Sequence, residues 1–402
     1  MKKSKTLGYV LAVTLVLVLS FALVACGTST PTNSSAPPAS PPASPSASTP
    51  AASESPAANK KFTLAFNTWG SGAEVFDWEI AELKYVIEDV FGMTAHTASD
   101  EFSPDGTLKN FQNFTSSGVD GIIGLCNQTG VFPQLAEVCV QTETPFVMVV
   151  MVPTEEQRAE QAANNPFYVG SIEGDTTAEA YKIGKAAIDA GCKTAVLLLG
   201  NLGEWVSESR IVGFTQAFVT EGGGTILDTV RLAGPFDAPA GANNLLSANI
   251  DVDCIYAGSG DYTTGIINAI DMLGITDIKV YASHCATESA EYIKNGLVTM
   301  GTGGEEIYNA LAACMILNYL DGHPILDPNN QAPYFLVMPM MLTSSNIDTI
   351  MSIYHSFATT GRRPFSPDTI KSLLWRYNKD VSYQDFVFWC EPTIEKLQAQ
   401  TW

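Results

Sequence analysis

From residue 61 onward, short apolar runs alternate with longer stretches whose apolar positions recur every three or four residues. Phe62–Asn67, Gly121–Leu125, Phe146–Val152, Phe167–Gly170, Thr194–Leu199, Cys254–Ala257 and Lys279–Ala282 read as strands. Phe76–Val90, Phe132–Gln141, Thr176–Ala190 and the stretch near Ser207–Glu221 read as helices. Runs such as Val-Leu-Leu-Leu and Phe-Val-Met-Val-Val-Met-Val are apolar on both faces. Strands of that kind belong in parallel sheets covered by helices on both sides. The predicted fold class is α/β, with doubly wound parallel sheets. A body of about 340 residues is large for one such sheet, so two lobes are expected. The pattern pauses at Asn164-Asn165-Pro166 and resumes at Phe167, where the first crossover between lobes is placed. Ligands of open parallel sheets lie at the carboxyl ends of strands, so candidate site residues are those that follow each strand.

The chain before this body has a different character. Lys2, Lys3 and Lys5 precede an almost wholly apolar run from Leu7 to Val24, and no further charge appears until Glu54. A basic start followed by such a run reads as a secretion signal, over residues 1–25. Leu23-Val24-Ala25-Cys26-Gly27 resembles the bacterial lipobox, in which the cysteine is lipidated and becomes the mature N-terminus. Residues 27–59 hold eight of the 22 prolines and a single acid, a composition that forms an extended tether rather than a core. The expected arrangement is a lipid on Cys26, a linker to residue 60, and an extracytoplasmic globular body anchored to the bacterial cell membrane.

Charge narrows the partners. Across the 402 residues, 42 acidic side chains face 21 basic ones, a formal charge of −21. Without the three leading lysines, 18 basic residues remain and the charge is about −24. Nucleic acid is excluded as a broad-surface partner, because phosphate neutralisation needs a basic footprint. Seven cysteines follow Cys26, with no CxxC and no Cys/His ligand spacing, and read as buried thiols or one disulfide of unassigned partners. G-x-S-x-G, HExxH and G-x-x-x-x-G-K-[ST] are all absent, and the four histidines are scattered. No enzyme, metal or cofactor is expected.

In order and spacing, several segments resemble one family. Lys61-Phe-Thr-Leu-Ala-Phe-Asn67, Gly118-Val-Asp-Gly-Ile-Ile-Gly124, Pro166-Phe-Tyr-Val-Gly170, Arg210-Ile-Val-Gly-Phe214, Tyr256-Ala-Gly-Ser-Gly-Asp261 and Tyr334-Phe-Leu-Val-Met-Pro339 resemble the type 1 periplasmic binding proteins of the sugar-binding, ribose-binding-protein kind. The resemblance covers about Phe62 to Asp348. It implies two lobes joined by three hinge strands, closing on a small ligand. One lobe is expected over 61–169 and 302–338, the other over 170–301 and 339–402 with the C-terminal tail. Helices are expected in that tail over Asp368–Tyr377 and Phe386–Leu397.

The implied role is an ABC-importer substrate-binding protein, a monomer that hands a sugar-like small molecule to a membrane permease. An alternative is a sensor lipoprotein that presents its bound state to a receptor such as a histidine kinase; an extracytoplasmic enzyme is a minor one. Sugars are held by aromatic faces and planar polar groups. The expected ligand contacts are Trp69, Phe76, Asn127, Gln128, Trp205, Arg210, Phe236, Ser259, Asp261 and His284, with Arg210 foremost for its rigid fork of donors. Three departures from the family's pentose binders stand out. An Asp-Arg pair is missing after the Phe146–Val152 run, an Asp is missing near His284, and glycine replaces a Gln around Gly303-Gly304. They imply a ligand other than a simple pentose: a larger sugar, a glycoside or nucleoside, or a less polar metabolite.

Overall fold

A computed structural model describes residues 60–402 except 71–73, 127, 305–306 and 355–362. The signal, Cys26 and the linker lie outside the described residues, as does Asn127. Apolar alternation builds the first lobe in the order β1 (Thr63–Thr68), α1 (Glu74–Lys84), β2 (Thr94–Ser99), α2 (Pro104–Ser116), β3 (Gly121–Gly124), α3 (Phe132–Gln141), β4 (Phe146–Val149), α4 (Glu155–Asn164) and β5 (Tyr168–Gly174). The second lobe continues with α5 (Thr176–Asp189), β6 (Thr194–Leu199), α6 (Trp205–Thr215), β7 (Thr225–Arg231), α7 (Ala238–Ala248), β8 (Cys254–Ala257), α8 (Thr263–Leu273), β9 (Lys279–Ala282), α9 (Thr287–Lys294) and β10 (Met300–Gly303). The chain then returns as α10 (Ile307–Leu320) and β11 (Tyr334–Val337), and crosses again to β12 (Met340–Leu342) and α11 (Ile347–Tyr354). The tail adds α12 (Pro367–Ser372), α13 (Tyr383–Cys390) and α14 (Ile394–Gln398).

Two six-stranded sheets result. The first runs β11-β5-β4-β3-β1-β2, all parallel; the second runs β12-β10-β9-β8-β6-β7, parallel except for β12 against β10. The fold is α/β with two parallel-sheet lobes. Interior strands β3, β4 and β8 are buried at every position, which is why their sequences read as unbroken apolar runs. Helix α10 is apolar all round because 12 of its 14 residues are buried beneath the first sheet.

Three differences from the sequence expectation have physical causes. First, β5 does not stop at residue 170. Ser171 and Glu173 look like loop residues, yet both are buried in the strand, so the first crossover comes after Gly174. Second, the expected strand to Val152 ends at Val149. Val150 turns into the left-handed region at φ 62°, and the Met151 amide donates to the Val149 carbonyl at 2.6 Å. Third, the tail does not belong wholly to the second lobe. Phe335 sits on edge strand β11 and needs cover; Tyr383 and Phe386 of α13 stack on it at 5.0 and 5.6 Å. Arg376 pairs with Asp321 at 2.6 Å, and the Asn318 amide donates to the Leu373 carbonyl at 2.8 Å. Both anchors are on the first lobe, whereas β12 and α11 join the second, with Lys294 of α9 paired to Asp348 at 2.7 Å. The expected helix over Phe386–Leu397 is split by Pro392, because the residue before a proline disfavours helix; Glu391 there has φ −113° and ψ 70°.

The lobes are joined where β5, β10 and β11 end. The Asp175 amide donates to the Val337 carbonyl at 2.8 Å, tying the first crossover to the third.

Candidate functional site

Both sheets direct the carboxyl ends of their parallel strands at one cleft, which encloses a cavity of about 170 Å³. The two walls differ. The first lobe contributes Trp69 after β1, Phe76 on α1 and Phe102 after β2. Their rings meet edge to face, at 5.8 Å for Trp69 and Phe76 and 5.7 Å for Phe76 and Phe102. Val150 and Met151 extend this apolar wall, presented by the left-handed turn that ends β4. A positive φ is strained for a β-branched residue, and such strain concentrates at functional sites. Gln128 supplies an amide beside them.

The second lobe contributes the polar wall. Glu204 and Ser207 stand at the start of α6, Ser259 and Asp261 follow β8, and His284 follows β9. The Gly200 amide donates to Ser207 Oγ at 3.0 Å, and that hydroxyl donates to Glu204 Oε2 at 2.7 Å. A side chain at residue 200 would bring its Cβ to 2.0 Å from that oxygen, so glycine is required there for the carboxylate to approach the backbone. His284 holds φ 51° while its amide donates to Thr302 Oγ1 at 3.2 Å. Burial lifts the Asp261 carboxyl above its usual range, and the nearby His284 only partly offsets this.

Arg210 lines the cavity but is committed. Its Nε donates to Glu179 Oε2 at 3.1 Å and its Nη1 to the Gly258 carbonyl at 2.6 Å. Glu179 is fully buried and also accepts from the Thr302 hydroxyl. The guanidinium therefore ties α5, α6 and the β8 and β10 ends into one floor.

Among the described residues, hydrogen bonds bridge the lobes at Glu74 and at Glu173. Glu74 of α1 accepts from Thr287 at the start of α9, from its amide at 3.2 Å and its hydroxyl at 2.6 Å. The Trp205 indole donates to Glu173 Oε2 at 3.0 Å, and Tyr334 donates to the other oxygen of the same carboxylate. Burial pushes the Glu173 carboxyl up to about 7, against the lowering effect of those two donors.

Of the residues singled out in the sequence, Trp69, Phe76, Gln128, Arg210, Ser259, Asp261 and His284 meet at this cavity. Trp205 does not line it; its indole is spent on Glu173. Phe236 is 87% exposed and lies outside the lining. The sequence reading misses Phe102, Glu204, Tyr262 and Tyr308, which also line the cavity. Glu204 and Tyr262 adjoin named residues and follow from the strand-end rule. Tyr308 lies in a helix that reads as pure core, and its hydroxyl donates to buried Glu79 at 2.7 Å. Among the described residues, no group of His, Cys, Asp or Glu could hold a metal ion, and no helix is long and apolar enough to cross a membrane.

Comparison with known proteins agrees with this geometry. The chain resembles a galactofuranose binding protein at 16% identity, with a TM-score of 0.65 over 72% of this chain and 97% of that one. It resembles an ABC transporter periplasmic solute binding protein from Actinobacillus succinogenes 130z with bound D-allose at 17% identity, TM-score 0.64, over 72% of this chain and 99% of that one. A solute binding protein from Bacillus halodurans C-125 with bound myo-inositol is similar at 12% identity, TM-score 0.63, over 73% and 98%. At these identities the likeness speaks to the fold. No curated protein matches the sequence. The sequence pattern of the periplasmic binding protein domain matches residues 76–324, more than half of the chain. With its paired lobes, triple crossover and inter-lobe cleft, the chain belongs to the periplasmic binding protein domain family.

Proposed function

We propose that this chain is the lipid-anchored, extracytoplasmic substrate-binding protein of an ABC importer, and that it captures a sugar or sugar-like molecule by closing its two lobes. The observation that carries this reading is the asymmetric cleft, with three aromatic rings on one wall facing carboxylate, hydroxyl and imidazole groups on the other. That division matches a polyol, whose C–H faces stack on rings while its hydroxyls need polar partners. Trp69, Phe76 and Gln128 bind from one lobe, and Ser259, Asp261 and His284 from the other. Arg210 acts as a positioning residue, because its donors already hold Glu179 and Gly258. Closure hands a compact, monomeric carrier to a membrane permease, with Cys26 holding it at the surface.

A thermal-shift screen against sugars, glycosides, nucleosides and inositols tests this. A true ligand raises stability by about 2.7 kcal/mol at a hundredfold excess over its Kd. Trp69→Ala should weaken the ligand found by about tenfold or more. A screen in which none of these classes shifts the transition rejects the reading.

A further inference from the structure

The cleft's charges select among sugar-like ligands. Arg210 is the only Lys or Arg among the described residues that line the cavity, and buried Glu179 cancels its charge. Arg231, whose Nη1 reaches the Gly200 carbonyl at 3.4 Å, pairs with Glu208 at 3.0 Å. Two carboxylates then remain on the polar wall, Glu204 and Asp261. Glu74, reaching over from the first lobe, adds to the negative field at Asp261. The opposite wall is lined by the aromatic rings of Trp69, Phe76 and Phe102. An anionic ligand would meet the like charge of these carboxylates here, offset only in part by His284 beside Asp261. A cation would meet carboxylates on one side and aromatic rings on the other, the two groups that favour ammonium most.

Resting on the reading of the cleft as a sugar-like site, we propose that the ligand is a polyol bearing a protonated amine, seated with its ammonium between Asp261 and the Trp69–Phe76–Phe102 wall. The raised Asp261 carboxyl is consistent with this, since burial there is not repaid by His284 and an incoming cation would repay it.

The test titrates the full chain with amino sugars of gluco, galacto and manno configuration, with their neutral parents, and with the matching uronic acids, by calorimetry. The amino sugar of at least one configuration should bind about tenfold tighter than its parent, and the uronic acid weaker than both. The advantage should shrink once the pH is raised enough to deprotonate the amine. Asp261→Asn should collapse the ratio between amino and neutral sugar, and Glu204→Gln serves if that variant fails to fold. Neutral sugars that bind as tightly as amino sugars, or uronic acids that bind tightest, overturn this proposal and leave the sugar reading standing. If none of the nine compounds binds, this proposal falls, and the wider screen of neutral ligands then decides the sugar reading separately.

Discussion

Glu173, next to last on β5, is buried with two hydrogen-bond donors, and that burial pushes its carboxyl up to about 7 from the ordinary 4.5. Between those values the folded chain keeps a proton that the unfolded chain has released. The contribution of Glu173 to stability is therefore fully present below about 4.5 and is lost as the pH rises toward about 7. Glu173→Gln, which keeps the shape without the titration, should flatten that part of the pH–stability curve in urea unfolding. An unchanged slope would show that other groups cause it. At this scale the candidate site was largely legible in the sequence, because ligand contacts follow strand ends and those ends are marked by apolar runs stopping at Gly124, Leu199 or Ala257. Two expected contacts lie off the cavity lining for reasons that sequence does not carry. Trp205 faces a carboxylate 32 residues away, and Phe236 points outward from a loop whose path depends on tertiary packing.

Elements were legible in proportion to their burial. The central strands announce themselves, whereas edge strands β2 and β7 are half polar, Thr-Ala-His-Thr-Ala-Ser and Thr-Ile-Leu-Asp-Thr-Val-Arg, and the sequence reading passes over them. Strand β10, Met-Gly-Thr-Gly, has little strand propensity and exists because its neighbours on both sides need a partner. In the tail, α12 and α13 are held on the first lobe by Arg376, whose fork meets both oxygens of Asp321 at 2.7 and 2.6 Å in nearly complete burial. Removing one member of such a pair strands the other. Asp321→Ala should therefore cost about 3–5 kcal/mol in denaturant unfolding. A loss below about 1 kcal/mol would mean that Arg376 finds water or another acceptor.

For the whole molecule, the two inter-lobe bridges set how readily the cleft opens. Thr287→Ala removes a hydroxyl hydrogen bond to Glu74 and Trp205→Phe an indole hydrogen bond to Glu173, each on the other lobe and each worth about 0.5–1.5 kcal/mol. The double variant should populate the open form, giving a larger radius of gyration by small-angle scattering without ligand. It should also bind more weakly, since part of the binding energy is then used for closure. An unchanged radius would place the resting equilibrium elsewhere. The threefold crossover has a further consequence for how the chain is made. The first sheet lacks its edge until β11 is synthesised, and the second lacks its own until β12, at residues 334–337 and 340–342. Neither lobe is therefore a continuous stretch that can finish folding while the rest emerges, contrary to the usual N-terminal-first order. A polypeptide stopped before residue 334 holds two sheets that each lack an edge strand, so neither lobe is complete until residue 342 has been made.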